Sequence, residues 1–226
     1  MTERTKSIRQ ARNVYTLKDG TKVPGVTTVL GLRAKPFLIE WAFKLGREHP
    51  ELNSTRDYTD DLANIGKAAH AMIAGELTGV PPDLSDFTAN EIKAAEIPLE
   101  KFRAWASGHS ITVHASEEVV VNEEDRYGGC LDVLATIDGV LTVIDIKTSK
   151  SIYPEFFWQV AAYAEAKKKL GADIKSIRII RVGRNEGEGF EDQARASWSN
   201  EFNAFMALRT LYDIERCIKN NETWAG

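Results

Sequence analysis

The fold is decided by the stretch YGGCLDVLATIDGVLTVIDIKTS, which spans residues 127–149. Two runs rich in β-branched and other apolar residues, at about 128–137 and 140–147, flank the dipeptide Asp138-Gly139, which is typical of tight hairpin turns. Residues 113–121 have a similar composition and predict another strand ahead of the hairpin. The stretch therefore predicts a β-meander.

Two acidic residues and a lysine interrupt these apolar strands. Because side chains alternate along a strand, Asp145 and Lys147 project from one face of the last strand, and the turn brings Asp132 near Asp145. Charged groups that face an apolar core are costly unless they are paired or functional. Two carboxylates on adjacent strands suit Mg²⁺ or Mn²⁺, and the lysine could orient an attacking water. The alternative is a surface hairpin in which Asp145 and Lys147 only form an ion pair.

The residues before the meander predict a hairpin and three helices. Residues 15–23 resemble a small hairpin with an Asp-Gly turn. Pro36 is placed at the first position of a helix, because its fixed φ angle suits that position. A second helix is expected at about 60–77, where apolar residues recur at 3.6-residue spacing. Thr88-Ala89-Asn90-Glu91 offers a capping box for a third helix that reaches about Ala106.

The residues after the meander predict a helix at about 154–170, a strand near 174–182, a loop at 184–189 and a closing helix. A helix between two strands of one sheet is a crossover connection. The order of elements is therefore typical of the α/β class, with a central mixed sheet flanked by helices.

The chain length of 226 residues suits one domain. We expect residues 1–13 to form a flexible N-terminal tail and residues 14–226 to form a single domain. Within that domain, residues 14–110 would supply the hairpin and an N-terminal helical segment, and residues 111–226 would form the catalytic α/β core.

Composition limits the classes of function. Lys and Arg total 29 against 33 Asp and Glu, so the net charge is −4, which argues against a protein that coats nucleic acid through bulk positive charge. No apolar run approaches the ~18 residues that a membrane span needs, so no membrane partner is expected. Cys130 and Cys217 form neither a disulfide framework nor a C-x-x-C metal pattern, which favours a reducing, cytoplasmic setting.

Other residues could join the acidic pair. Gly66 lies one helical turn before His70 on the same side of the second helix, so another group could approach closely there. Gln159 and Tyr163 form an i, i+4 pair on the helix after the D-x-K strand. Taken singly, His70 would more often be a half-buried structural histidine, and Gln159 and Tyr163 fit packing and capping roles better than functional ones.

The segments that flank the hairpin add further candidates. Glu117 and Glu118 lie in the strand ahead of Asp132, and either could supply a third carboxylate. Strand alternation does not choose between them. Thr148, Ser149 and Lys150 follow the D-x-K strand and could contact phosphate through their hydroxyl and ammonium groups, although ordinary loop polarity explains them as well.

The order of these motifs resembles the RecB-like branch of the PD-(D/E)XK nucleases. The motifs are G-x-x-x-H at 66–70, the Glu of 117 or 118, G-x-x-D at 129–132, D-x-K-T-S at 145–149 and Q-x-x-x-Y at 159–163. Residues 15–41 also resemble the leader of phage exonucleases of that branch and of the mitochondrial genome maintenance exonucleases. The likeness covers about residues 15 to 165, and the ordered set is more specific than any one motif.

The resemblance implies a restriction-endonuclease-like core and a role for each motif position. The metal ligands would be His70, Asp132, Asp145, Glu117 and the carbonyl of Ile146, with Glu117 preferred to Glu118 because its spacing to Gly129 fits the relatives better. Lys147 would be the catalytic lysine, and Gln159 and Tyr163 would support the site and the DNA backbone. The four cysteines of the iron–sulfur relatives are absent, so no iron–sulfur cluster is expected.

The expected function is metal-dependent hydrolysis of DNA phosphodiester bonds with one or two Mg²⁺ or Mn²⁺ ions. The favoured mode is an exonuclease that acts on single-stranded DNA ends in replication, recombination or repair, with a replication or recombination protein as a possible partner. The resemblance places the protein in the cytoplasm of a bacterial host, encoded by a phage or prophage. The alternatives are a structure-specific endonuclease and a DNA-binding or partner-docking subunit without stand-alone activity.

Overall fold

A computed structural model describes residues 14–224, apart from the side chain of Asp57, so the predicted tail at 1–13 lies outside the described residues. In chain order the strands are β1 (Tyr15–Thr16), β2 (Lys22–Val23), β3 (Ile111–Asn122), β4 (Tyr127–Ile137), β5 (Val140–Lys147), β6 (Ser176–Val182) and β7 (Phe190–Arg195). The helices are α1 (Val26–Leu30), α2 (Phe37–Glu48), α3 (Thr55–Thr78), α4 (Ala89–Ala106), α5 (Pro154–Lys169) and α6 (Ser199–Asn220).

The central sheet has five strands in the order β3-β4-β5-β6-β7. The pairs β3–β4, β4–β5 and β6–β7 are antiparallel, whereas β5 and β6 are parallel and are joined by α5 as a crossover helix. A parallel pair needs such a crossover because a short turn cannot connect strands that run in the same direction. The predicted α/β class with a mixed, helix-flanked sheet is confirmed.

Helices cover both faces of the sheet, and each face has its own apolar core. On one face, α1, α5 and α6 pack on Leu134, Val143 and Ile179. On the other face, Ile73 of α3 and Phe102 of α4 pack against apolar residues of β4, β5 and β6. Because both faces of β5 are buried, its run of Val and Ile residues is nearly continuous, as expected for a strand covered by helices on both sides.

The predicted elements before and within the meander are confirmed. The turn between β4 and β5 uses Asp138 and Gly139 at φ 49° and 85°, the left-handed pair that tight hairpins need. Thr88 caps α4 as predicted: its hydroxyl accepts from the backbone N–H of Glu91, and the Glu91 carboxylate accepts from the backbone N–H of Thr88. Pro36 is the N-cap of α2 and not its first helical residue.

Two elements have no counterpart in the sequence-based expectation. The helix α1 buries Val26 and Val29 completely, although its sequence VTTVL is rich in β-branched residues, so burial outweighs local preference. The strand β7 follows a 3-10 turn at Glu186–Glu188, which lies in the segment expected to be a loop. The sequence predicted no element at the position of β7 itself. Its sequence FEDQAR is polar, as expected for an edge strand with a largely exposed surface. Within residues 14–224, no helix combines the length and apolar character that a membrane span needs.

Candidate metal and catalytic site

The site lies where the hydrogen-bonded register of β4 and β5 ends. The two strands pair from Ile137↔Val140 up to Val133↔Ile144, and no pair follows toward the β5 C-terminus. Beyond that point, the backbone N–H of Ile146 donates to Oδ2 of Asp132 at 2.8 Å instead of to a strand carbonyl. A side-chain carboxylate therefore takes the place of a ladder bond, which opens a gap between the strands while β5 stays paired with β6.

Three predicted metal ligands meet at this gap. His70 comes from α3, Glu117 from β3 and Asp132 from β4, and one ligand atom from each lies within 4.8 Å of the other two. The His70 Nδ1 to Asp132 Oδ2 distance is 3.5 Å. Two carboxylates and an imidazole from separate elements form a donor set that fits a divalent cation.

The backbone of β3 decides which glutamate enters the cluster. Glu117 has a φ of 51°, which takes its side chain out of the regular alternation and toward His70 and Asp132. The next residue, Glu118, accepts from Nζ of Lys167 at 3.0 Å through both carboxylate oxygens. The geometry thus brings Glu117 to the cluster and leaves Glu118 in an ion pair.

Asp145 and Lys147 lie behind the three ligands. Nζ of Lys147 is 3.0 Å from Oδ1 and 2.8 Å from Oδ2 of Asp145, whose side chain is fully buried. Within residues 14–224, no other donor reaches Oδ2, so this oxygen keeps lone-pair capacity toward the gap. The structure therefore brings Asp145 to the site as the partner of Lys147, outside the group of three ligands that lie mutually close.

A chain of side chains from α5 holds the lysine. Lys147 also donates to Oε1 of Gln159 at 3.2 Å, and Nε2 of Gln159 donates to the hydroxyl of Tyr163 at 3.1 Å. The Lys147 ammonium lies 5.1 Å from the ring centroid of Phe156, within cation–π range. With three partner residues, Asp145, Gln159 and Phe156, the lysine has little rotamer freedom, so its charge is fixed in the site.

Two glycines let the helices approach. A Cβ at Gly66 would lie 2.6 Å from Oγ1 of Thr148, so only glycine lets α3 bring His70 this close to the end of β5. A Cβ at Gly129 would lie 2.3 Å from Cε1 of Tyr163. The group that approaches Gly66 is thus the Thr148 side chain, and the glycines of the first and third motifs serve close packing around the site.

Burial and mutual repulsion both act on the carboxylates of the site. Burial, followed by the neighbouring Asp132, raises the pKa of Glu117 to about 7. Burial raises the pKa of Asp145 to about 6 against the opposing effect of Lys147, and it raises the pKa of Asp132 as well. Each shift means that the charged form is short of compensating positive charge.

The imidazole and the ammonium respond in opposite directions. Burial, followed by the nearby Lys147, lowers the pKa of His70 to about 4, so the ring is neutral at pH 7 and carries a lone pair for a cation. Burial acts to lower the pKa of Lys147, but Asp145 and Asp132 outweigh it and the pKa is raised. Lys147 is therefore charged, and Ile146 contributes its carbonyl as a hydrogen-bond partner of His70.

A cleft of about 1210 Å³ contains the site and runs between α2, α3 and the sheet. Thr148, Ser149 and Lys150 line it, as does Tyr163. The Ser149 hydroxyl donates to the carbonyl of Ser151 at 2.8 Å, so it already has an internal partner, whereas the Lys150 side chain is exposed.

Sequence reasoning missed one feature of this cleft and one ion-pair cluster that is close to it in the chain. Phe37 and Tyr153 line the cleft wall with their rings stacked, and Arg33 and Lys35 both pair with Glu155 at the start of α5. No motif spacing connects residues so far apart in the chain, so only the fold brings them together.

Comparisons with known proteins give a limited likeness. No protein-family model and no curated protein matches the chain. Among solved structures, a candidate exonuclease from Eubacterium rectale superimposes with a TM-score of 0.47 at 12% identity, covering 71% of this chain and 69% of that one. LHK-Exo, solved with dAMP, gives 0.33 at 11% identity, with 68% and 81% covered. Likeness at this level does not assign a family.

Proposed function

We propose that this protein is a metal-dependent nuclease of the PD-(D/E)XK type, in the RecB-like branch, that hydrolyses DNA phosphodiester bonds. One observation carries the proposal: His70, Glu117 and Asp132 place three ligand atoms within 4.8 Å of one another, beside the buried Asp145–Lys147 pair. A structural ion pair alone gives no reason for three further ligating groups to meet at the same gap.

The donor set fits Mg²⁺ or Mn²⁺. Carboxylate oxygens are the ligands that both ions prefer, and the neutral imidazole of His70 is compatible with Mn²⁺. The raised pKa values of Glu117 and Asp145 record an excess of negative charge that a divalent cation would offset. Such an ion supplies Lewis-acid polarisation of the phosphate and a more acidic water. Asp145 and the carbonyl of Ile146 would complete the shell.

The residues of the chain divide the remaining work. Lys147 is charged and fixed, so it can orient the attacking water and offset the charge that develops on the phosphate oxygens. Gln159 accepts a second hydrogen bond from the Lys147 ammonium, and Tyr163 accepts one from Gln159. Thr148, Ser149 and Lys150 would contact the DNA backbone on the cleft wall.

The position of the cleft favours action on single strands with a free end. Side chains of α2, α3 and β4 line the cleft, so we infer that a bound strand runs between these helices and the sheet to reach Asp132. A strand enters such a passage most easily by its end. We therefore favour exonuclease activity in replication, recombination or repair.

The test compares wild type with Lys147→Ala on end-labelled linear and circular single-stranded DNA, with Mg²⁺, Mn²⁺ or EDTA. Lys175→Ala is the matched control, because Lys175 is an exposed lysine paired with Asp173. We expect metal-dependent loss of linear DNA, and a rate about 10²- to 10³-fold lower in Lys147→Ala only.

Each other outcome has a definite meaning. Cleavage of circles would replace the exonuclease with a structure-specific endonuclease. Binding of DNA without cleavage under any condition would favour a subunit that needs a replication or recombination partner. Thermal unfolding of both variants shows whether Lys147→Ala still folds, because its loss leaves Asp145 buried without its cation.

A further inference from the structure

Two aromatic rings face each other on the cleft wall. The rings of Phe37, at the start of α2, and Tyr153, at the N-cap of α5, are parallel within 8°, with centroids 6.2 Å apart. Both residues line the cleft. This separation is near the upper limit of direct aromatic stacking, so the two rings hold each other weakly.

The exposure of Phe37 argues against a purely structural role. The residue is 51% exposed, and Leu45 is the only buried residue of α2 within the described part of the chain. Phe37 and the adjacent Leu38 are both exposed and both line the cleft, so together they leave an apolar surface open to a ligand there. Phe43 on the same helix is 69% exposed but does not line the cleft, so it provides a natural comparison.

Phe156 connects this aromatic pair to Lys147, the proposed catalytic lysine. Tyr153 contacts Phe156 edge to face at 5.4 Å between centroids, and the Lys147 ammonium lies 5.1 Å from the Phe156 centroid. One ring therefore separates the Phe37–Tyr153 pair from the group proposed to act on phosphate. A strand whose phosphate lies at Lys147 has a neighbouring base within reach of this wall.

We propose that Phe37 and Tyr153 bind one unpaired nucleobase of the substrate, next to the phosphodiester that is cut. The inference rests on the proposed nuclease function and specifies how its substrate is recognised. Every base has an apolar π-face, so the pair accepts any sequence. A base within a duplex is already stacked and paired, so it is not available to these rings, and single strands are the preferred class.

The test removes the base and the ring separately. Linear single-stranded oligonucleotides carry one abasic nucleotide at successive positions, and cleavage at each bond is followed at single-nucleotide resolution. With wild type, we expect an abasic nucleotide to slow cleavage of one bond at a fixed distance by about 5- to 100-fold.

Phe37→Leu should slow cleavage of intact DNA to the rate that wild type shows on abasic DNA. It should not change the rate on abasic DNA, because no base is present there for the Phe37 ring to stack on. Tyr153→Leu should act in the same way, and Tyr153→Phe should match wild type because it keeps the ring. Phe43→Leu, the matched control, should leave both rates unchanged.

Three results overturn the inference. If Phe37→Leu and Phe43→Leu behave alike while wild type cuts normally, the rings only pack together and the nuclease proposal stands. If wild type cuts no DNA at all, both proposals fail together. An equal effect of Phe37→Leu on intact and abasic DNA would also reject base stacking, since it would show a loss of helix position.

Discussion

Two carboxylate clusters in this chain have opposite charge balance. In the site cluster, three carboxylates share one ammonium group: Glu117, Asp132 and Asp145 with Lys147. In the second cluster, here called the clamp, two cations share one carboxylate: Arg33 and Lys35 with Glu155. The clamp ties the segment before α2 to the start of α5, and the site cluster ties no two helices together.

The pKa values record this difference. Burial raises the pKa of Glu117 to about 7 and that of Asp145 to about 6. Burial also acts to raise the pKa of Glu155, but its own backbone N–H and the nearby Lys35 and Arg33 hold that pKa below its ordinary value. The charged form of a carboxylate is therefore disfavoured in the site cluster and favoured in the clamp. The clamp has the cations it needs, whereas the site cluster keeps an excess of carboxylates that the proposed divalent cation would offset.

The largest expected effect comes from reducing the charge excess of the site cluster. We expect Asp132→Asn to lower cleavage about 10³-fold, because it removes a proposed metal ligand, while the amide oxygen can still accept from Ile146. The metal-free variant should unfold at the same temperature as wild type or higher, because repulsion with Glu117 is relieved.

Calorimetry with and without Mn²⁺ measures both effects. At ten times its dissociation constant the ion stabilises wild type by about 1.4 kcal/mol, which shifts the midpoint by about 3–6 °C, and the shift should vanish in Asp132→Asn. An Asp132→Asn variant that still gains the full shift would show that the ion binds elsewhere. The charge excess of the site cluster would then not be what distinguishes it from the clamp in metal binding.

The next effect separates two adjacent residues. Glu117→Gln should lower metal affinity and cleavage about 10- to 100-fold, because Glu117 points into the cluster. Glu118→Gln should change cleavage less than about twofold, because that carboxylate only pairs with Lys167. Titration with Mn²⁺, read by cleavage rate, measures both variants. Equal losses in the two would mean that β3 does not turn at Glu117 as described.

The smallest effect belongs to the clamp. Glu155→Gln should lower the free energy of unfolding by about 0.5–1 kcal/mol at pH 7, since Arg33 and Lys35 are each about one third exposed and solvent screens the pairs. The folded pKa of Glu155 lies below the unfolded value of about 4.5, so its contribution is present above pH ~4.5 and is lost as pH falls through the folded pKa.

Urea unfolding of wild type and Glu155→Gln across pH 3 to 7 checks this dependence. The two curves should differ at pH 7 and converge toward pH 3. Lys18→Gln, which changes an exposed lysine outside the clamp, is a control for added amide side chains. A difference that grows as pH falls would have the wrong sign for a carboxylate of lowered pKa.

The sequence was sufficient for most of the sheet because its signals are local. The Asp138-Gly139 turn, the apolar run of β4 and the Thr88–Glu91 capping box each depend on residues a few positions apart. The strand β7 carries no apolar signal, since it is exposed at an edge, and α1 depends on contacts with distant elements. Elements stabilised by tertiary contacts are not visible in local patterns.

The candidate site shows the same division. Alternation placed Asp145 beside Lys147 correctly in one strand, but it could not choose Glu117 over Glu118, because the φ of 51° at Glu117 breaks the alternation. The assignment of Asp145, Asp132 and Lys147 to catalysis stays a prediction until the variants are measured. The cleft wall formed by Phe37 and Tyr153 joins residues more than a hundred positions apart and has no sequence signal.

The irregular backbone of β3 has a consequence for how copies of this chain behave at high concentration. β3 and β7 are the two edges of the sheet, and an unprotected edge offers free N–H and C=O groups to a strand from another molecule. Two irregularities interrupt that row of groups in β3: the register shift between Val113 and Ala115, and the positive φ of Glu117. The distortion that brings a carboxylate to the cluster therefore also disfavours edge-to-edge aggregation, so straightening β3 would favour fibre-like association.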